Sequence, residues 1–99
     1  MARPKLYTEE EIEKIMPLFP YWDRDDKKIV RELVGRDFTN AVGMVTSIAI
    51  VAEKMDHHPD IFLYGYNKIR VSVTTGDQGG LTELDFNFAR AIDELGFHI

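Results

Sequence analysis

Two adjacent histidines, His57 and His58, are the residues of this sequence best suited to chemistry. Imidazole titrates near neutral pH, so a histidine can both donate and accept a proton within one catalytic cycle. Asp56 and Glu53 precede the pair closely, and their carboxylates could hold each ring in one tautomer. The spacing is consistent with a general acid–base site, but spacing alone favours a solvated helix end where protonated histidine complements the helix dipole.

Metal binding and sulfur chemistry are not indicated. The chain contains no cysteine, which excludes disulfides, thiolate metal sites and cysteine nucleophiles. Neighbouring histidines point in different directions, whereas a closed zinc site needs three or four converging ligands. The remaining histidine, His98, lies far along the chain at its C-terminal end. We therefore predict no bound metal.

Asp85 and the loop of residues 74–80 are the other candidates for a site. Thr82 and Asp85 stand at the spacing of a helix capping box, which accounts for Asp85 without any catalytic role. The loop carries three glycines but has neither Walker nor dinucleotide-binding spacing. Its backbone N–H groups could grip a small polar ring, or the loop could simply reverse the chain.

Three helices follow from capping patterns and from apolar residues at three- and four-residue steps. They are predicted at Glu9–Met16, Asp37–Met55 and Thr82–Leu95. The predicted core stripe of the middle helix is Phe38, Ala41, Val42, Val45, Ile48, Ala49, Ala52 and Met55, and that of the last helix is Leu84, Phe88, Ala91, Ile92 and Leu95. The middle helix carries no charge from Phe38 to Ala52. Because such a helix is usually buried on more than one side, we expect a subunit interface there.

Strands are expected between the helices. Short β-prone runs at Tyr21–Trp22 and Ile29–Val34 flank the polar turn 23–27 and predict a hairpin. The segment from Ile61 to Thr75 is predicted to be strand, and its apolar and polar residues alternate from Lys68 to Thr75, as in an antiparallel sheet with one solvated face. The order helix, hairpin, helix, strands, helix predicts an α+β fold with the helices packed on one face of an antiparallel sheet.

Composition narrows the class of protein. With 99 residues, 44% of them hydrophobic, the chain is expected to form one globular domain over residues 1–99. A net charge of −5 argues against a nucleic-acid partner and against an anionic membrane surface. The acidic N-terminal region lacks the apolar core of a signal peptide, and we expect the protein in the cytoplasm.

A longer pattern surrounds the histidines and identifies a family. It consists of Asp37-Phe38-x-x-Ala41-x-Gly43-x-x-Thr46-x-x-Ala49-x-x-Ala52-Glu53-Lys54-x-Asp56-His57-His58-Pro59, then Tyr66-Asn67-Lys68-Ile69, Thr74-Thr75 and Gly80-Leu81-Thr82-Glu83-x-Asp85. This pattern closely resembles the pterin-4a-carbinolamine dehydratases. Together with Trp22 and the first helix, the resemblance covers nearly the whole chain.

The resemblance implies an α+β sandwich of a four-stranded antiparallel sheet and three helices. It also implies a homodimer or homotetramer, formed through the sheet edge and through the helix of residues 37–55. The implied reaction removes water from a 4a-hydroxytetrahydropterin and gives the quinonoid dihydropterin of tetrahydrobiopterin recycling, with neither a metal nor a bound cofactor. Two imidazoles suit such a hydro-lyase, because one proton must reach the leaving hydroxyl and another must leave a ring nitrogen.

Site residues are carried over by matching position. The resemblance implies that His57 and His58 are catalytic and that Asp85 orients a histidine. It implies a pterin-binding pocket formed by the acids and proline around the histidines and by the glycine-rich loop. These pocket residues are Glu53, Asp56, Pro59, Thr74, Thr75, Gly76 and Asp77.

Two departures from the family pattern shape the expected activity. The family has a third active-site histidine where this chain has Gly76, so we expect a slower, two-histidine site. One extra residue near Gly65 predicts a bulge in the strand. Two alternatives to the dehydratase stay open: a relative that binds or transforms another pterin, such as a molybdopterin-related compound, and a non-catalytic dimerisation partner.

Overall fold

A computed structural model describes residues 4–97, and His98 lies outside them. The helices are α1 (Glu9–Ile15), α2 (Phe38–Met55) and α3 (Glu83–Asp93), and the strands are β1 (Asp23–Asp25), β2 (Lys28–Val34), β3 (Asp60–Tyr64) and β4 (Lys68–Val73). Short 3₁₀ turns occupy Met16–Leu18 and Gly76–Gln78. The predicted α2 is confirmed, with Asp37 as its N-cap, and α3 ends two residues earlier than predicted.

The strands form one antiparallel sheet in the order β1-β2-β4-β3, which confirms the predicted fold class. Its helix-facing side is fully or almost fully buried at Ile29, Leu33, Ile69, Val71 and Val73. The β3–β4 register runs without interruption from Asp60↔Ser72 to Tyr64↔Lys68. The predicted bulge is therefore wrong.

The extra residue near Gly65 lies in the turn between β3 and β4. Gly65 and Tyr66 both take positive φ there, 53° and 59°. Two consecutive left-handed residues reverse the chain and absorb the additional length, so the strands keep their pairing.

The first hairpin is displaced from its predicted position. Tyr21 and Trp22 form no strand; β1 begins at Asp23 and the turn is confined to Asp26 and Lys27. Trp22 is instead 3% exposed, and its indole Nε1 donates a hydrogen bond to Asp93 Oδ1 at 2.8 Å. This hydrogen bond holds the segment against α3 rather than in the sheet, and strand pairing begins only at the next residue.

Helix α2 buries only part of the predicted stripe. Ala41, Ile48 and Ala52 of that stripe are buried, together with Met44, which lies outside it. Phe38, Val42 and Ile50 are exposed on another side of the helix. None of the helices within residues 4–97 is long and apolar enough to cross a membrane.

One cation lies inside the core. Arg31 is 2% exposed and sits between Ile29 and Leu33 on the buried side of β2. Its Nη1 donates to Asp93 Oδ1 at 2.6 Å, and its guanidinium stacks 4.7 Å from the centre of the Tyr21 ring. Its Nε has no hydrogen-bond partner within the part of the chain that the structure describes. Asp93 thus joins β2 to α3 and to the segment at Trp22.

Candidate active site

The histidines lie where α2 ends and the chain turns towards β3. Asp56 caps α2 in the left-handed conformation, with φ 51° and ψ 42°, and its N–H donates to the carbonyls of Ala52 and Glu53. This conformation is costly for most residues, although aspartate tolerates it better than others. The backbone N–H of His57 then also donates to Ala52 O, at 3.2 Å. The turn fixes the direction in which each imidazole leaves the helix.

His57 turns inward and pairs with a carboxylate from α3. Its Nε2 lies 2.7 Å from Asp85 Oδ1. The His57 side chain is 11% exposed and that of Asp85 is fully buried. A buried carboxylate fixes the orientation and the tautomer of an imidazole, as general acid–base catalysis requires.

Asp85 holds three partners at once. Its Oδ2 accepts hydrogen bonds from the backbone N–H of Thr82 at 2.9 Å and from the hydroxyl of Thr75 at 2.8 Å, while Oδ1 faces His57. The capping box predicted for Thr82 and Asp85 is present. One carboxylate oxygen therefore caps α3 while the other contacts His57.

His58 turns outward. Its Nε2 lies 2.7 Å from Glu53 Oε1, and both side chains are largely exposed. A surface pair of this kind contributes little to stability. It can nevertheless hold the imidazole at the edge of a groove, where a bound ligand would meet it.

That groove runs between α2 and the start of β3, with a volume of about 440 Å³. This size suits a small organic ligand. Its walls are mainly apolar, and Glu53 and His58 supply polar groups. It is lined by Thr46, Ala49, Ile50, Ala52, Glu53, His58, Pro59 and Ile61.

The glycine-rich loop contributes unevenly to the site. Thr75 is 2% exposed and its hydroxyl is committed to Asp85 and Thr82. The Thr74 hydroxyl donates to Lys27 O at 2.5 Å, towards the first hairpin. Gly76 and Asp77 lie exposed in the 3₁₀ turn that follows. The structure therefore brings His57, Asp85 and Thr75 into one buried cluster and Glu53, His58 and Pro59 into the groove beside it.

Gly76 occupies open space. A Cβ built at this position meets no atom of residues 4–97 within 4 Å, and its φ lies outside the left-handed region. By contrast, Gly79 has φ 78°, where a side chain would be strained. A Cβ at position 76 is therefore compatible with the loop.

Thr82 is the functional candidate that sequence reasoning missed. Its hydroxyl lies 2.8 Å from that of Thr75, and both residues are buried. In the sequence it showed only the signature of a helix cap. Combining that cap with a threonine seven residues earlier could have suggested the contact, but only once the loop was known to fold back.

The backbone at Asp56 gives a first testable prediction. We expect Asp56→Gly to be more stable than Asp56→Ala by about 1 kcal/mol, because glycine takes positive φ without the Cβ clash. Urea unfolding of the two variants measures the difference. Equal stabilities, or a more stable alanine variant, would contradict the role of the left-handed cap. The glycine variant then tests the carboxylate in activity assays without straining the turn.

Comparison with known proteins supports these assignments of fold and family. Residues 5–95 match the family profile described as Pterin 4 alpha carbinolamine dehydratase. A protein of Picosynechococcus sp. is 42% identical over 88 residues, which are 89% of this chain and 95% of its own. One of Chloroflexus aurantiacus is 44% identical over 92 residues, 93% of this chain and 97% of its own. Both are provisionally named pterin-4-alpha-carbinolamine dehydratase.

Two solved structures have a similar fold. A transcriptional coactivator/pterin dehydratase from Brucella melitensis superposes with a TM-score of 0.82 at 33% identity, covering 92% of this chain and 97% of its own. A pterin dehydratase-like protein described as a RuBisCO assembly factor in the alpha-carboxysome gives a TM-score of 0.58 at 16% identity, covering 75% and 84%. The second likeness shows the fold alone. The family profile and the relatives that span nearly the whole chain lead to one conclusion: this protein belongs to the pterin-4-alpha-carbinolamine dehydratase family.

Proposed function

We propose that the protein is a 4a-hydroxytetrahydropterin dehydratase, a hydro-lyase that serves tetrahydrobiopterin recycling in the cytoplasm. The observation that carries this proposal is the pair of carboxylate-bound imidazoles at one helix end, His57 on Asp85 and His58 on Glu53, each at 2.7 Å. Membership of the family supports the substrate class. We propose further that residues 1–99 act as one domain.

The reaction asks for two proton transfers. One imidazole, as a cation, donates a proton to the 4a-hydroxyl, which leaves as water when the carbon–oxygen bond breaks. The other, as a neutral base, takes the proton from the neighbouring ring nitrogen. The electron pair of the broken N–H bond then forms the new carbon–nitrogen double bond of the quinonoid dihydropterin. His57 and His58 have separate carboxylate partners, so each can hold a different protonation state.

Substrate binding is assigned to the groups around the histidines. A pterin presents N–H donors along its pyrimidine edge, and carboxylate oxygens accept hydrogen bonds from such donors well. Glu53 and Pro59 line the groove, and Asp56 is an exposed carboxylate at the end of the same helix as Glu53. Gly76 and Asp77 would meet the ligand from the loop. Thr74 and Thr75 would support that loop through their hydroxyls, which are bonded within the protein.

We propose a homodimer or homotetramer as the working form, assembled through the sheet edge and the helix of residues 37–55. Support comes from exposed apolar residues on one side of α2, where Phe38 is 57% and Val42 42% exposed. Exposed apolar residues in such a cluster favour association. β3, at the edge of the sheet, offers unpaired backbone groups to a second copy.

The deciding experiment measures the dehydration rate of a 4a-hydroxytetrahydropterin with and without the protein, because the reaction also proceeds unaided. We expect His57→Ala and His58→Ala each to lose roughly a hundredfold of the catalysed rate, the usual contribution of a general acid or base. Ser47→Ala is the matched control, since its hydroxyl donates to the carbonyl of Gly43 in its own helix. Wild-type rates in both histidine variants would reject the proposal.

Gly76→His extends the same assay. A Cβ at this position meets no neighbour among residues 4–97. A further proton carrier here, next to the Thr75 that contacts Asp85, is expected to raise the rate several-fold. A Gly76→Ala variant controls for the change in backbone freedom. A rate unchanged from that of the alanine variant would contradict the expectation.

A second candidate function draws on the same open space. The unfilled space at Gly76 favours a bulkier pterin, including a molybdopterin-related compound, as the ligand. Titration with a panel of pterins discriminates the two functions. Tightest binding to simple tetrahydropterin analogues would exclude this second candidate. Activity only in Gly76→His would favour it, because the pocket would then persist without its original chemistry.

A further inference from the structure

Two buried hydroxyls lie behind the carboxylate that holds His57. Thr82 is fully buried and Thr75 is 2% exposed. Their Oγ1 atoms are 2.8 Å apart, and Thr75 Oγ1 also lies 2.8 Å from Asp85 Oδ2. Buried polar groups that satisfy one another in this way fix a single arrangement, because no water can replace a lost partner.

The donors and acceptors of this network fit one direction of hydrogen bonding. Thr82 Oγ1 accepts a hydrogen bond from the backbone N–H of Leu84 at 3.1 Å, so its own proton is available for Thr75. The Thr75 proton then points to Asp85 Oδ2, which already accepts from the Thr82 N–H. Each hydroxyl has one proton to give, and each proton has one acceptor. Asp85 Oδ2 is thereby occupied by two donors, and Oδ1 is left to His57.

We propose that Thr75 and Thr82 are positioning residues that act through Asp85, holding its carboxylate so that His57 carries its proton on Nε2 and presents Nδ1 to the ligand. Rotation of the carboxylate would break both bonds to Oδ2 inside the core. The chemical use of Nδ1 rests on the proposed dehydratase function. The position of the proton is a property of the protein without ligand.

Nitrogen NMR tests the proton position directly. The chain has three histidines, so ¹⁵N-histidine labelling at a pH where the rings are neutral gives a spectrum that is simple to assign. We expect His57 to show a protonated Nε2 with a slowly exchanging proton. In Thr75→Val that proton is expected to exchange rapidly and the ring to populate both tautomers. Thr75→Ser restores the hydroxyl and is expected to restore the wild-type signal.

The N-cap of α1 provides the matched control. Thr8 and Glu11 form a capping box of the same kind as Thr82 and Asp85. Thr8→Val should destabilise the protein as a lost cap does and leave the His57 signal unchanged, whereas Thr82→Val should alter that signal. In the dehydration assay we expect Thr75→Val to lower kcat about tenfold with little change in KM, a fraction of the full acid–base contribution.

Two results would overturn the inference: a proton on Nδ1 of His57 in the wild type, or a wild-type His57 signal in folded Thr75→Val. Neither depends on turnover. A protein with the expected tautomer and no dehydratase activity would reject the proposed function and keep the inference. An active protein with the opposite tautomer would keep the proposed function and reject the inference.

Discussion

Asp85→Asn is expected to lose about 10²- to 10⁴-fold in dehydration rate while remaining folded. The reason is the orientation of the new amide. Thr82 N–H and the Thr75 hydroxyl require an acceptor at the Oδ2 position, so the amide oxygen must lie there. The NH₂ group then faces His57 Nε2 from the Oδ1 position and drives the ring proton to Nδ1.

The measurement is kcat and KM of the variant beside its circular dichroism and unfolding curve. Glu83→Gln is the matched control, because it makes the same carboxylate-to-amide change in the exposed first turn of the same helix. A rate for Asp85→Asn within a few-fold of the control would show that the orientation of His57 does not depend on the charge of Asp85. Asp85→Ala is less informative, since it also removes part of the cap of α3.

Asp93→Ala is expected to lower the free energy of unfolding by about 3–5 kcal/mol, the usual cost of leaving a buried charge unpaired. Arg31 would keep its cation at 2% exposure, and the indole N–H of Trp22 would lose its acceptor. Arg31→Met is expected to cost less, because it removes the charge and keeps much of the side-chain volume. Asp93, whose side chain is 22% exposed in the unaltered protein, still accepts the hydrogen bond from Trp22.

Urea unfolding of the single and double variants checks this asymmetry. The double variant Arg31→Met/Asp93→Ala should be more stable than Asp93→Ala alone, since no cation remains in the core. Asp25→Ala serves as the control, because Asp25 is exposed and its pair with Lys28 spans 3.9 Å; its effect should stay within about 0.5 kcal/mol. Equal losses for Asp93→Ala and Arg31→Met would contradict an uncompensated buried charge as the cause.

The elements of this fold were predictable wherever local chemistry decides them. Asp37 and the capping boxes at Thr8 and Thr82 begin the three helices at the predicted places, because a cap depends on residues within one turn. The buried face of α2 was not predictable in the same way. Met44 and Phe38 are both apolar, and only contacts with the sheet make the first buried and the second exposed.

The hairpin shows the same limit. Tyr21 and Trp22 have the side chains of a strand, yet Trp22 is bonded to Asp93, 71 residues away. No local pattern contains that contact. Arg31 is a further example, since the alternation of β2 places it on the buried side, where a cation is expected only with a partner that the sequence does not reveal.

The site was predictable in its residues and less so in its connections. The family resemblance named His57, His58 and Asp85, while spacing alone explained Asp85 as a cap. The contact between His57 and Asp85 spans 28 residues, and it forms because α2 ends beside the first turn of α3. The loop residue Thr75 was expected to touch a pterin, but burial leaves its hydroxyl facing Asp85.

Because the backbone N–H of Thr82 donates to Asp85, its hydrogen exchange reports on the opening of the site. Its hydrogen can exchange with solvent only when the first turn of α3 opens and releases the carboxylate. The same opening frees His57, so local unfolding of this turn and disassembly of the site are one event. The exchange rate at this one backbone position therefore measures the fraction of molecules in which the site is open. A ligand that binds only the assembled site must slow this exchange as its occupancy rises.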